Sequence, residues 1–255
     1  MQERNDPFRT DNMVALVTGG GSGIGLAIAE ALCRSGAQAV ICGRRMDVLA
    51  SAVERIGERA IAERYDVTQT DQAPEFVERV LRRVGTIDIL VNNAGIHLKK
   101  PADVTDEAEF LNVLNTHVIG AHALTRAVLP SMRAKKNGRI LFIASMTALF
   151  GMPQVIAYSA AKSAYLGMVM TLATEVGGDG ITVNAIAPGF IDTPMMRKAI
   201  ESDPDRKDRI LKRTSLGRFG TPDDIGLAAV YLSSPAASFI TGTCLVVDGG
   251  AANGF

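Results

Sequence analysis

The chain of 255 residues has no net charge, because 27 lysines and arginines balance 27 aspartates and glutamates. No overall field draws it toward nucleic acid or an anionic membrane, and the basic tracts at 133–136 and 206–212 read as solvated helix or loop faces. Cysteine is scarce. Cys33, Cys42 and Cys244 are odd in number, widely spaced and set among apolar neighbours. That pattern excludes a disulfide framework and zinc-ligand spacing, and leaves reduced packing residues. The opening MQERNDPFRTDN lacks the apolar stretch of a secretory leader. No later segment reaches the roughly 20 uninterrupted apolar residues that would span a bilayer, so a cytoplasmic protein is expected. Neither an internal linker nor a repeat with a period of roughly 20–50 residues is visible.

What the chain does have is apolar bulk, at 47% of residues, and 25 glycines. At this length a single domain buries roughly 70–75% of the surface its unfolded chain exposes. The expected organisation is therefore a loosely held N-terminus at 1–12 followed by one domain over 13–255. Apolar runs at 13–17, 39–42, 60–65, 87–91, 139–144, 181–186 and 244–247 read as strands, most with no room for a charge. Between them, residues spaced for one helical face recur at about 24–34, 49–56, 74–84, 107–132, 158–176 and 222–233. Pro130 suggests that the longest of these helices stops early. Alternation of this kind predicts an α/β, doubly wound, Rossmann-like fold: a mainly parallel sheet of about seven strands with helices on both faces. The stretch 191–215 breaks the alternation, with Met195, Met196, Ile200, Ile210 and Leu211 among charged residues. It reads as one or two short amphipathic helices forming a substrate lid over the C-terminal edge of the sheet, where open α/β folds bind ligands.

The first strand runs into TGGGSGIG at 18–25, and an amphipathic helix follows. In that setting glycines permit the turn, let a pyrophosphate approach the backbone and bring the helix close to the sheet. Gly19, Gly21, Ser22, Gly23 and Ile24 are the candidate contacts. The lysine and hydroxyl residue of a nucleotide triphosphate loop are missing, so a dinucleotide is the better reading. An acidic residue at the end of the second strand would favour NAD by binding the ribose hydroxyls. This chain has Arg44 and Arg45 there, which favours NADP and keeps NAD open.

Ser145 follows a strand, while Tyr158 and Lys162 lie four apart on one face of a helix. A phenol titrates near 10 and is a poor base at neutral pH, but a neighbouring ammonium favours its ionised form.

TGGGSGIG at 18–25, Asp66 with Val67, NNAG at 92–95, Ser145, YSAAK at 158–162 and NAIAPGFIDT at 184–193 together resemble the short-chain dehydrogenase/reductase family, from about 13 to 250. The resemblance implies an enzyme moving a hydride between NADP(H) or NAD(H) and a small alcohol or carbonyl compound. In it Tyr158 transfers the proton, Ser145 orients the substrate oxygen, and Lys162 holds the nicotinamide ribose and lowers the Tyr158 pKa. Asp66 would meet the adenine with Val67 nearby. Asn92, Asn93, Ala94 and Gly95 would shape the coenzyme channel, Asn92 also bracing the sheet. Pro188, Gly189, Ile191 and Thr193 would fix the nicotinamide, although Thr193 could instead cap the next helix.

The family usually carries an asparagine in the long helix before the serine, where it helps hold a water in a proton relay. Aligning Gly120 and Leu129 puts His117 at that place, with Asn115 two residues away on another face unless a local irregularity of the helix brings it in. His117 is accordingly expected to support the relay and to add a titration near neutrality, the alternative being a buried histidine satisfied by a backbone oxygen. His97, after NNAGI, falls in the general substrate region, with substrate contact and plain exposure both open. Phe190, Met195, Met196 and Met146 suggest an apolar or mixed pocket. A homotetramer is implied, a dimer being the alternative. The competing functions are a redox-assisted epimerase and a non-catalytic dinucleotide-binding regulator or scaffold.

Overall fold

In the computed structural model, residues 6–194, 196–197 and 204–254 are described. Strands covered on both faces carry apolar residues without alternation. β1 (Val14–Thr18), β4 (Ile89–Asn92), β5 (Gly138–Ile143) and β6 (Ile181–Pro188) are accordingly buried from end to end. β2 (Gln38–Gly43), β3 (Ala60–Arg64) and β7 (Cys244–Val247) lie further out, and β3 and β7 show the most solvent. The seven strands pair in parallel in the order β3-β2-β1-β4-β5-β6-β7. This is the expected Rossmann-like sheet.

The sheet divides two cores. On one face Leu16, Leu90, Ile140 and Phe142 meet Phe76 and Val80 of α3 (Ala73–Val84), Leu124 and Val128 of α5 (Gly120–Lys135), and Tyr165 and Val169 of α6 (Ile156–Val176). On the other, Val17, Ile41, Val91 and Leu141 meet Ile28 and Leu32 of α1 (Gly23–Arg34), Leu49 of α2 (Met46–Ile56), and Ile225 and Ala229 of α8 (Pro222–Ser233). Fully burying one such aliphatic side chain contributes roughly 1.5–3 kcal/mol. Residues of each face therefore recur along every strand. The strand order reverses between β1 and β4, and the crevice beyond their C-terminal ends is where a fold of this kind takes its ligand.

The single long helix expected over 107–132 is interrupted by a change of helical pitch. α4 (Glu107–Leu114) opens with a capping box on Asp106 and Glu109, gives way to a wider π-turn over Asn115–Ile119, and α5 then carries on to Lys135. Pro130 does not end it. Val128, Leu129 and Met132 are buried around the proline, and their packing outweighs its missing N–H. Residues 6–12 touch the domain at three points. Thr10 is buried with its N–H on Ser35 O, Phe8 stacks on Tyr231, and Pro7 O accepts from Ala236 N.

The predicted lid leaves the sheet after β6 and returns to it beside its own start. Ile191 and Gly220 form a one-residue bridge, with Asp192 N donating to Gly220 O at 2.7 Å and Gly220 N to Phe190 O at 2.9 Å. Between them α7 (Pro204–Arg213) is amphipathic, burying Ile210 against Met146, Phe190 and Ala251. Met195 and Ile200, expected in the same lid, lie outside the described residues. Among the described residues no helix is long and apolar enough to cross a membrane.

Candidate active site

The glycine turn sits at the mouth of the crevice. Gly19 and Gly23 have φ of +64° and +56°, a region that residues with a Cβ seldom occupy. Gly25 is required for a different reason: a Cβ there would strike Gly19 O and the Asn93 amide, so only glycine lets α1 sit this close to the turn. Ser22 N-caps α1 without a side-chain bond, and no acidic residue occupies the first turn. The helix N-terminus thus keeps free N–H groups and an unopposed partial positive charge.

A cleft of about 330 Å³ opens in front of it, lined by Gly19, Gly21, Ser22, Arg44, Arg45, Asp66, Val67, Ala94 and Gly95 among others. Gly23 and Ile24 stand behind the lining. Arg44 and Arg45 are exposed, and neither is ion-paired among the described residues. Asp66 accepts from Thr68 N and Oγ1 at 3.0 and 2.8 Å, which fixes its carboxylate at the cleft wall. Free N–H groups, close-approach glycines and unpaired guanidiniums form a donor set that fits a dinucleotide.

Two asparagines act differently from a simple channel lining. Asn93 donates through Nδ2 to Thr18 O at 2.9 Å, and its own N–H and that of Ala94 donate to Thr18 Oγ1, each at 2.9 Å. Thr18, which sequence reasoning passed over, therefore ties β1 to β4 across the crevice; a hydroxyl residue ending the strand before the glycines was its only signal. Asn92 braces the interior, donating to Thr125 Oγ1 at 3.1 Å.

Ser145, Tyr158 and Lys162 come together where β5 ends and α6 begins. Ser145 N-caps a short 3₁₀ turn, its Oγ accepting from Thr147 N at 3.2 Å, and its hydroxyl stands beside Tyr158. Lys162 is 3% exposed and donates to Ile143 O at 2.6 Å. Its Nζ lies 5.5 Å from the centre of the Tyr158 ring, and burial pushes its pKa down to about 7. The pKa of Tyr158 is raised by burial and partly lowered by the Ser145 bond.

His117, and not Asn115, faces this group; Asn115 is exposed. The imidazole is 1% exposed, meets the Tyr158 ring edge-on at 5.6 Å between centroids, and places Nε2 3.0 Å from Ile96 N and 2.8 Å from Ile96 O. Which of these bonds forms is set by the tautomer. Nδ1 is buried without a hydrogen-bond partner. Burial first and Lys162 second push the pKa down to about 3. Burial beside Lys162 thus favours the neutral ring in the range near neutrality where a titration was expected. Gly95 makes room for it, since a Cβ there would overlap the imidazole.

His97 is exposed, with its ring 5.0 Å from that of Tyr158. Beyond Ser145, Met146, Phe190 and Met196 gather with Phe150, Met152 and Phe219 into a separate apolar cluster. Arg213 closes one side of it, lying 4.1 Å over the Phe150 ring and donating to Ala251 O at 2.9 Å. Pro188 ends β6. Gly189 abuts Asp248 so closely that no side chain would fit, and Ile191 is buried. Thr193 Oγ1 accepts from Met196 N at 3.3 Å, the capping alternative. Cys33 and Cys42 are buried and Cys244 half-buried, all three as free thiols. Among the described residues no cluster of acidic, histidine or cysteine side chains could hold a metal ion.

A dinucleotide crevice with a serine, tyrosine and lysine at its inner end defines a class of proteins, the nicotinamide-dependent oxidoreductases of the short-chain type. Residues 19–252 match the family described as Enoyl-(Acyl carrier protein) reductase. The chain is 36% identical over 246 residues to 3-oxoacyl-(acyl-carrier-protein) reductase of Thermotoga maritima, covering 95% of this chain and 99% of that one. It is also 36% identical over 248 residues to gluconate 5-dehydrogenase of Gluconobacter oxydans, covering 96% of each. A gluconate 5-dehydrogenase from Burkholderia cenocepacia J2315, solved in complex with NADP and tartrate, superposes with a TM-score of 0.93 at 34% identity, covering 98% of this chain and 99% of that one. The chain belongs to the short-chain dehydrogenase/reductase family, whose members bind NAD(P)(H).

Proposed function

We propose that the protein is an NADP(H)-preferring oxidoreductase that interconverts a small alcohol and its carbonyl compound, with Tyr158 as proton donor and acceptor. The observation that carries this is the convergence of Ser145, Tyr158 and Lys162 beside a dinucleotide-shaped cleft. The nicotinamide, when bound, supplies or accepts the hydride. Ser145, beside Tyr158, steadies the negative charge that develops on the substrate oxygen during reduction. Tyr158 gives that oxygen its proton, and oxidation reverses the transfer. Lys162 contributes a charge that is available once a hydroxyl or phenolate compensates its burial. His117, neutral and with Nδ1 unpartnered, supports the relay as a hydrogen-bonding group and not as a titrating one.

The preference for NADP rests on Arg44 and Arg45 at the cleft, where no carboxylate stands at the end of β2 to repel a ribose phosphate. Asp66 and Val67 take the adenine end. Pro188, Gly189, Ile191 and Thr193 flank the nicotinamide end. The apolar cluster around Met146 and Phe190, with Arg213 and His97 at its borders, suits a substrate having both apolar and polar parts. Polyols, sugar acids, keto esters and cyclic ketones all answer that description. A cytoplasmic homotetramer is the assembly in keeping with the family.

A screen of alcohols and carbonyl compounds in both directions, with NADPH and NADH at several pH values, tests the reading. Turnover with NADPH favoured is expected, and replacing Arg44 and Arg45 together by alanine should erase the preference, with roughly tenfold loss in kcat/KM for NADPH and little for NADH. Tight dinucleotide binding without turnover on any substrate would leave a regulator or scaffold in its place.

A further inference from the structure

Tyr165 takes no part in the chemistry proposed for the site, yet it lies on the same face of α6 as Tyr158 and Lys162, one helical turn beyond the lysine. It is 1% exposed and packs its ring 5.1 Å from that of Phe142 on β5. Lys162 Nζ lies 4.9 Å from the ring centre, slightly nearer than it lies to Tyr158. The hydroxyl donates to the carbonyl oxygen of His117 at 3.0 Å. A phenylalanine or leucine would fill this core position as well. A hydroxyl taken fully out of water is tolerated only when it is hydrogen-bonded, so the partner it has chosen is informative.

That partner belongs to the π-turn Asn115–Ile119, whose closing N–H, on Gly120, is shared between Asn115 O and His117 O. Such turns give up regular helical hydrogen bonding and concentrate at functional sites. Here a donor from the neighbouring helix grips the turn at the residue whose side chain meets Tyr158. Three contacts then fix His117: Ile96 at Nε2, Gly95 against the ring face, and Tyr165 at the main chain. Burial holds the Tyr165 phenol well above its ordinary pKa, so it remains a donor throughout the working range. The titratable groups around His117 are Tyr158 and Lys162 on α6 and His97 in the loop after β4.

We infer that Tyr165 is a positioning residue: its hydroxyl pins the π-turn at His117 O and so holds the imidazole edge-on to Tyr158, in one orientation, beside Lys162. The inference rests on the proposed role of Tyr158 as proton donor.

The test is Tyr165→Phe, which removes one oxygen, studied in the full chain with coenzyme present. A fall in kcat of about tenfold, with the coenzyme KM changed by less than about twofold, is expected. The same change made in a His117→Asn background should alter kcat by less than about twofold, because the grip then has no imidazole to hold. An equal loss in both backgrounds, or an unchanged kcat and pH profile with only a lower Tm, overturns the inference. A second measurement needs no turnover. The chain has 3 histidines, and the nitrogen-15 imidazole signals of His117 are those lost in His117→Asn. They should report a single tautomer that does not titrate between about pH 5 and 8 in the parent, and mixed tautomers or a titration in Tyr165→Phe. An unchanged His117 spectrum in that variant also overturns the inference. Failure of the underlying reading looks different: Tyr158→Phe would then keep parental turnover, whatever the spectrum of His117 shows.

Discussion

Replacing His117 by asparagine should make the protein more resistant to acid, by an amount that follows from where the imidazole sits. In the folded chain its pKa is held at about 3, against 6.5 for the unperturbed group, because it is buried and faces Lys162. Between those two values only the unfolded chain takes up a proton. Stability is therefore lost as pH falls below 6.5, at about 1.4 kcal/mol per unit. From pH 7.5 to pH 5 the loss due to this residue is about 2 kcal/mol. The carboxylates of Asp11, Asp192 and Asp224, held low by their arginine partners, are the same in both chains and cancel in the difference. Urea denaturation of parent and His117→Asn at the two pH values, at equal protein concentration, measures it. The variant starts from its own stability at pH 7.5, having traded one set of hydrogen bonds to Ile96 for another, but should lose about 2 kcal/mol less on going to pH 5. Parallel losses in the two chains would refute the reasoning, and with it the buried, neutral imidazole.

Tyr158→Phe should lower kcat/KM by about 10²–10⁴-fold, the usual share of general acid–base catalysis, while leaving coenzyme affinity nearly intact; fluorescence titration and steady-state rates check the two halves. Gly95→Ala places a methyl group in the His117 ring and should cost about 1–3 kcal/mol by overpacking. Thermal denaturation should show most of that cost recovered when the same change is made beside His117→Asn, since the smaller amide leaves room.

The sheet was legible because burial on both faces leaves strands such as 89–92 and 181–188 without a charged residue, and the glycine turn because separate constraints demand glycine at 19, 23 and 25. The placement of His117 opposite Tyr158 was readable from its spacing to Gly120. Its charge was not, because desolvation depends on what a chain folds over a residue and not on its neighbours in sequence. The continuation of α5 past Pro130 was hidden in the same way, since tertiary packing decided against a local rule. Thr18 and Tyr165 escaped notice as functional residues for a common reason: each acts through a hydrogen bond to a segment more than 45 positions distant, which no periodicity reveals.

The clasp between Ile191 and Gly220 brings the two ends of the excursion between them together at the sheet. A loop closed at its own base transmits little of its length or sequence to the frame that carries it, because the entropy of closing it grows only slowly with added residues. Added length in this excursion can thus be absorbed without shifting the strand register. The anchoring pair is therefore the boundary inside which length can vary, while Ile210, Arg213 and Leu216 keep the excursion tied to the rest of the fold.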